Sequence, residues 1–471
     1  MSVESKFEEY NARDKVALKM IDVLIENEDS RKKESENKPS KILGSFFPYV
    51  TIHDYYSQKL GFIIEYKDIL HFELKSKSMI PSLSIRFADS SNYFSTFDYK
   101  MDNSVLNLYI KANNEELLKP LHLNLDILGI KQSGIYESYK CYTLECQLRI
   151  PNLYNEFCTA YTEMTSFDAL LEIAKELKLG FYSNDEDTND IMTWINPYTT
   201  AYEFISHLTD YSYKDQESFY TSYIDVYYNL TLANVNKCLL NDTINVAEIY
   251  TGLRDLKNVD ATFEPIKLFL TNRTEYSGLT RFVTNYKLIN TTTRSILENG
   301  YQRKLQYYDM TANSYLTDES MNIIPLAKSD YDEAEDVIYG GLNNEYVDSY
   351  IKYKYLGKQN ENVHDYFQYS KIWNYHNLST LTQNVLVLDL KGVDLSLYRY
   401  QTVPVILFSY DATANKGLSS LTKTQVNAVQ LNEVLSGKYV IIAIDWIYTY
   451  PNSFFQRLYL VKRKYKNIIT T

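Results

Sequence analysis

Apolar and polar residues alternate along four early stretches: Leu83/Ile85/Phe87 in PSLSIRFAD, Leu106/Leu108/Ile110 in SVLNLYIKA, Leu121/Leu123/Leu125 in LHLNLDILG, and Tyr142/Leu144/Cys146/Leu148/Ile150 in CYTLECQLRI. A two-residue repeat places every second side chain on one face, so each stretch predicts a strand with one buried face. Polar connections such as FADSSNYFS and KQSGIYES predict turns between them. Short strands in succession predict an antiparallel sheet closed or nearly closed into a small barrel, an open sandwich being the alternative for the same pattern.

The period then changes to that of helices. Thr165 with Asp168 three residues on predicts an N-terminal cap, Phe167, Leu170, Ala174 and Leu177 share one face, and Gly180 is placed for a left-handed stop. Thr200 with Glu203 predicts a second helix carrying Phe204, Ile205, Leu208 and Tyr211. YIDVYYNLTLANV follows as a strand with Ile224/Val226/Tyr228/Leu230/Leu232 on one face, so 159–235 read as a small α+β unit. At the start of the chain, Val16, Met20, Val23 and Leu24 define an amphipathic helix within 5–26. The nearly apolar-free NEDSRKKESENKPSK tethers it, so the helix either folds back on its own body or reaches a neighbouring subunit.

Farther on, EPIKLFLTN, TRFVTNYKLIN and RKLQYYDM predict strands, and the acidic SDYDEAEDVIYGG predicts a loop. Alternation resumes in QNVLVLDLKGVDLSLYRYQTVPVILFSYD and SGKYVIIAIDWIYTYPNSFFQRLYLVKRKY. Gly392 between Asp389 and Asp394 marks a hairpin, Gly437 opens the next strand, and the set predicts a second barrel.

A length of 471 residues with 45% apolar content predicts two to four domains. The net charge of −12 argues against a phosphate-binding face spread over the protein. The N-terminus lacks an apolar signal region and no window approaches about 18 apolar residues, so no stable membrane insertion is expected. Cys141, Cys146, Cys158 and Cys238 form no CxxC pair and read as buried thiols. The 46 tyrosines fit half-buried strands and protein interfaces, and equally an AT-rich genome that loads Tyr and Asn into tolerant positions.

Catalytic motifs are missing: the sequence has no Walker A loop, GxSxG, HExxH or GxGxxG. His53, His71, His122, His207, His364 and His376 stand at no metal-ligand spacing, so no metal, cofactor or catalytic residue is expected. Cys158 with His207 could be read as a peptidase pair, but the apolar surroundings of Cys158 mark it as structural. Asp332, Glu333, Glu335 and Asp336 read as a solvated loop, or at most a weak calcium site. Lys462, Arg463, Lys464 and Lys466 read as charged blockers of a terminal strand edge, or as a solvated tail.

Taken as a set, IPSLSIRFAD, TSFDALLEIAKELKLGFYSN with DTNDIMTWINPYTTAYEFISHLTDYS, SFYTSYIDVYYNLTLANVNKCL, and VLVLDLKGVDLSLYRYQTVPVILF with LSGKYVIIAIDWIY resemble the central baseplate hub subunit of contractile-tailed bacteriophages. More distantly they are similar to the hub portion of type VI secretion spike proteins. The resemblance runs from about Phe46 to Tyr465 and excludes the first 41 residues and about 312–383.

It implies a β-rich α+β chain with two small antiparallel β-barrel domains joined by an α+β linking domain. The implied divisions are 1–41 for helix and tether, 42–158 for the first barrel, 159–261 for the linking domain, 262–311 with 384–471 for a discontinuous second barrel, and 312–383 for an insertion. The resemblance further implies a homotrimer joining a sixfold tail tube protein to a threefold central spike protein, surrounded by baseplate wedge proteins. DNA would be passing cargo only, and the subunit would be made in the host cytoplasm and carried in the virion tail. Val16, Met20, Val23 and Leu24 would form an interface with a neighbour. Two other readings remain: a receptor- or carbohydrate-binding tail protein stacking ligands on Trp194, Trp373 and Trp446, and a tail-associated cell-wall hydrolase.

Overall fold

The computed structural model describes residues 2–3, 48–54, 60–92, 94, 104–110, 121–240, 268–270, 283–294, 302–309, 314–315, 322–323, 350–356, 363–390, 393, 397–410, 429–431, 435–451 and 453–463. The predicted N-terminal helix with Val16, Met20, Val23 and Leu24, the acidic loop at 329–341, Gly392, Lys464 and Lys466 lie outside them.

The first strands are β1 (Ser2–Val3), β2 (Pro48–Asp54), β3 (Leu60–Ile64), β4 (Ile69–Ser76), β5 (Ser82–Ala88), β6 (Ser104–Ile110), β7 (Leu121–Tyr136) and β8 (Tyr139–Leu148). A mixed stretch follows: β9 (Glu156–Met164), α1 (Ser166–Glu176), β10 (Gly180–Ser183), β11 (Met192–Thr200), α2 (Ala201–Tyr211), β12 (Tyr220–Ile224), β13 (Asn229–Asn234) and α3 (Val235–Leu239). Then come β14 (Leu268–Leu270), β15 (Val283–Asn290), β16 (Gln302–Asp309), β17 (Ser314–Tyr315), β18 (Asn322–Ile323), β19 (Tyr350–Leu356) and α4 (Phe367–Leu381). The chain ends with β20 (Asn384–Leu390), β21 (Thr402–Tyr410), β22 (Val429–Leu431), β23 (Gly437–Thr449) and β24 (Ser453–Val461).

The protein is β-rich, and its main feature is one 14-stranded sheet in the order β15-β20-β24-β23-β4-β5-β8-β7-β6-β2-β3, with β21 on β23 and β14 and β22 on β21. The strands do fall into two sets, β2–β8 and β14, β15 with β20–β24. Among the described residues neither set closes on itself, and hydrogen bonds between β4 and β23 merge them.

The two sets repeat one plan. The neighbour order β4-β5-β8-β7-β6 in the first recurs as β15-β20-β24-β23-β21 in the second, every pairing antiparallel. Two register irregularities coincide as well, while a further slip in β7/β8, between Gln132 and Gly134, has no counterpart in β23/β24. The β4/β5 ladder slips between Ile69 and His71, and β15/β20 slips between Val283 and Asn285. The β7/β8 hairpin slips between Ile127 and Gly129, and β23/β24 between Ile441 and Ala443. A slip of one residue would turn every side chain to the other face, so shared slips fix the correspondence residue by residue. They place Ile69 on Val283, Leu83 on Leu386, Phe87 on Leu390, Leu106 on Val403, Leu144 on Leu458 and Cys146 on Leu460, all buried in both sets.

The linking stretch is held by local chemistry that the sequence signals well. Thr165 Oγ1 accepts from the Asp168 N–H at 3.2 Å, and Thr200 and Glu203 form a complete capping box. Phe167, Leu170, Ala174 and Leu177 are buried, as are Phe204, Ile205 and Leu208. The stop of α1 differs from expectation: Lys178, with φ 58°, takes the left-handed position, and Gly180 begins β10.

The single strand expected over 223–235 is a hairpin of β12 and β13. Asp225 causes the reversal, its carboxylate accepting the backbone N–H groups of Tyr227 and Asn229 at 2.8 Å each, while Tyr228 turns left-handed with φ 62°. KQSGIYES is mostly strand, the turn being confined to Glu137 and Ser138 at φ 50° and 94°. Gly392, where a hairpin is expected, lies outside the described residues; the described strands on either side do not pair with each other, β20 being bonded to β15 and β24 and β21 to β14, β22 and β23. One hydrophobic core runs through both strand sets and the linking stretch, from Ile69 and Leu83 through Leu170 and Leu230 to Leu386 and Leu458.

Candidate functional site at the joint of the sheet

The two sets meet where the distal half of β23 lies along β4. Thr449 stands opposite His71, Tyr448 opposite Phe72, Trp446 opposite Leu74 and Asp445 opposite Lys75. The long β23 reaches that far because its proximal residues 437–440 pair with β21 while its distal residues 444–449 extend past β21.

Asp445 is buried in this joint. Its Oδ2 is 2.7 Å from Lys77 Nζ and accepts from Tyr459 Oη at 3.0 Å, and Lys77 Nζ also donates to Tyr459 Oη at 2.6 Å. Burial works against the Lys77 ammonium, yet the bonds to Asp445 and Tyr459 outweigh it and hold its pKa above the ordinary lysine value. The ammonium also sits over the Tyr459 ring at 4.1 Å.

Arg399 ties three parts together. Its Nη1 donates to the Ser78 carbonyl at 2.7 Å just beyond β4, its Nε to the Ile442 carbonyl at 2.9 Å in the β23 irregularity, and its guanidinium lies 4.2 Å from the centre of the Tyr223 ring on β12. The Tyr223 hydroxyl donates back to the Arg399 carbonyl at 2.8 Å. A planar guanidinium suits this position because its fixed donors serve two carbonyls while its face stacks on an aromatic ring.

Helix α4, inside the segment read as an insertion, docks on the linking stretch. Asn374 Nδ2 donates to the carbonyls of Thr209, Asp210 and Ser212 at the end of α2, and its Oδ1 accepts from the Tyr220 N–H at 3.0 Å. Trp373 Nε1 donates to the Ser218 carbonyl at 2.7 Å. The start of α1 rests on buried Asp190, which accepts from the Ser166 N–H at 2.8 Å, Ser166 Oγ at 2.6 Å, Thr188 Oγ1 at 2.8 Å and the Tyr213 N–H at 2.8 Å.

A cleft of about 770 Å³ opens between the linking stretch and residues 398–402. At its base Asp185 accepts from Lys214 at 3.0 Å, Lys237 at 3.3 Å, Tyr220 at 2.8 Å and Asn234 at 2.6 Å. Burial alone would raise its pKa, but Asn234, Tyr220 and Lys214 hold the carboxyl below the usual range. A carboxylate so engaged fastens the cleft walls and is a poor proton acceptor.

Trp194, Trp373 and Trp446 are all buried and offer no face for stacking on a ligand. Cys158 corrects the expectation of four buried thiols: it is exposed, because on β9 it points away from the core, whereas Cys141, Cys146 and Cys238 are buried. Burial pushes the Cys146 thiol up, and the Cys238 thiol up to about 12. His207 belongs to an aromatic group with Phe204, Tyr211 and Phe367. Lys462 and Arg463 do not guard an edge, since β24 lies between β20 and β23. Lys462 donates to the Ser436 carbonyl, and Arg463 to Asn236 and Asn377. Lys77, Asp445, Arg399, Asp190 and Asn374 carried no sequence signal of their roles, because each acts through partners far away in the chain.

No family pattern matches the sequence, and no curated protein is similar to it. Among solved structures, the chain is similar to a tail protein from Neisseria meningitidis, with TM-score 0.48 and 8% identity over 89% of this chain and 96% of that one. It is similar to the 43 kDa tail protein of prophage MuSo2 from Shewanella oneidensis, with TM-score 0.48 and 9% identity over 89% and 99%. It is also similar to an E. coli component of the type VI secretion system described as structurally similar to bacteriophage T4 tail proteins gp27 and gp5, with TM-score 0.40 and 11% identity over 85% and 76%.

Proposed function

We propose that this chain is a structural subunit of a phage-type tail, the homotrimeric hub of its baseplate. The observation that supports the reading is the register-level duplication of β4-β5-β8-β7-β6 as β15-β20-β24-β23-β21. Three copies of a duplicated chain present six nearly equivalent β-modules. Such a ring matches a sixfold tail tube on one face while keeping threefold symmetry for a central spike on the other.

Each module would be a barrel-like unit of the ring, and the linking stretch with α4 would lie on its flank toward the surrounding baseplate proteins. DNA would pass through the bore, repelled by a chain whose net charge is −12. The work of such a protein is symmetry matching and force transmission through stable contacts, without turnover. The buried state of all three tryptophans weighs against the glycan-stacking alternative. Co-assembly tests the reading: the purified chain should cap one end of tube protein rings and bind spike protein at its other face. Binding to neither would refute it.

A further inference from the structure

The duplicated plan leaves one contact made and its counterpart unmade. Residues 444–449 of β23 are bonded to β24 on one side and β4 on the other. Their counterparts, 130–136 of β7, are bonded to β8, and the other neighbour of β7, β6, reaches only 121–126. Among the described residues no strand lies on the free side of that arm. β15, the counterpart of β4, is bonded to β20 and, among the described residues, to no strand on its other edge.

Exposure follows the same division. Phe72 and Leu74 of β4 are fully buried, whereas their counterparts Tyr286 and Leu288 on β15 are 37% and 43% exposed. Tyr448 of β23 is 1% exposed, and its counterpart Ile135 is 74% exposed. Leu128, at the register slip that matches Ile442, is 65% exposed. Apolar side chains thus stand exposed on the two strand edges that, among the described residues, carry no paired strand, and are covered on the two that do.

We propose that β15 of one copy of this chain pairs antiparallel with residues 130–136 of β7 in a second copy, repeating between chains the contact that β4 and β23 make within one. The shared slips, with Ser133 left out at the extra slip that β7/β8 alone has between Gln132 and Gly134, give the register. Ile130 lies opposite Asn290, Lys131 opposite Ile289, Gln132 opposite Leu288, Ile135 opposite Tyr286 and Tyr136 opposite Asn285. Every copy offers one edge of each kind, so the contact is head-to-tail and propagates until a ring closes. The pairing deepens the hub reading, which supplies only the number of copies.

Paired cysteines test it in the full chain with Cys158→Ser to remove the exposed native thiol. Ile135→Cys together with Tyr286→Cys places two thiols at cross-strand distance. Mild oxidation should link separate chains into a ladder that ends at three. Gln132→Cys with Tyr286→Cys, out of register, should link at least tenfold more slowly. Failure of the matched pair to link in protein that still forms trimers overturns the pairing and leaves the trimer standing. Linking that closes at another copy number keeps the pairing and overturns the three-copy reading. Should the variants fold poorly, amide exchange of the unaltered chain decides: protection of 130–136 and 283–290 rising with protein concentration supports the pairing, and protection independent of concentration overturns it.

Discussion

The ammonium of Lys77 lies 2.7 Å from the carboxylate of Asp445 and fastens the first strand set to the second across β4 and β23. The two partners are unequal. Asp445 is fully buried, while the Lys77 side chain is 38% exposed. Removing the lysine strands a carboxylate in the core, whereas removing the acid leaves an ammonium that can turn to water. Lys77→Met should therefore cost about 3 kcal/mol and Asp445→Asn about 1 kcal/mol. Urea unfolding of both variants checks the order, and equal losses would contradict it.

Arg399 should resist replacement even by lysine. Its guanidinium serves the Ser78 and Ile442 carbonyls while stacking on Tyr223, and an ammonium cannot do both. Arg399→Lys should destabilise by about 1 kcal/mol by leaving one of these part-buried carbonyls unbonded. Amide exchange should show earlier opening around Ile442 and Tyr223 together, because both lean on the same side chain. Loss at only one of them would contradict the three-way role.

Asp190 gathers two backbone N–H groups and two hydroxyls at the start of α1. Asp190→Ala should cost about 3 kcal/mol or more, since buried donors are left without an acceptor. Ser166→Ala removes one donor and should cost about 1 kcal/mol. Thermal unfolding of the two variants measures the difference.

His364 gives the protein an acid-sensitive contact. Its Nε2 donates to the Tyr211 carbonyl at 3.2 Å, and its ring packs near Trp194 and Phe367. Burial holds its pKa down to about 4, the Tyr211 carbonyl opposing only in part. An unfolded histidine takes its proton near pH 6.5. The stability this residue contributes is therefore complete above about pH 6.5 and is lost as pH falls toward about 4, up to about 3 kcal/mol in all. His364→Gln should flatten that part of the stability profile. Equal slopes for both proteins between pH 7 and 4.5 would contradict the assignment.

The sequence made visible whatever depends on neighbours in the chain. The caps at Thr165 and Thr200 act over three residues, and the alternation in β5, β6, β7 and β8 repeats every second residue, so both appear as patterns. Helix α4 escaped because Ser370, Asn374, His376 and Asn377 are buried beside Ile372 and Trp373, which removes any apolar stripe. The β12–β13 hairpin was masked because Val226 and Tyr228 continue the alternation through a turn made by Asp225. The joint between the strand sets was invisible for a simpler reason: the β4–β23 ladder pairs residues more than 360 positions apart.

The central claim is that one duplicated chain lets a threefold assembly imitate sixfold geometry. Electron microscopy of the purified full chain, averaged without imposed symmetry, tests it most directly. Three copies around a bore, with six β-modules at nearly equal angular spacing, is the expected image. A ring of another copy number, or three copies whose two modules lie at different radii, would contradict the account.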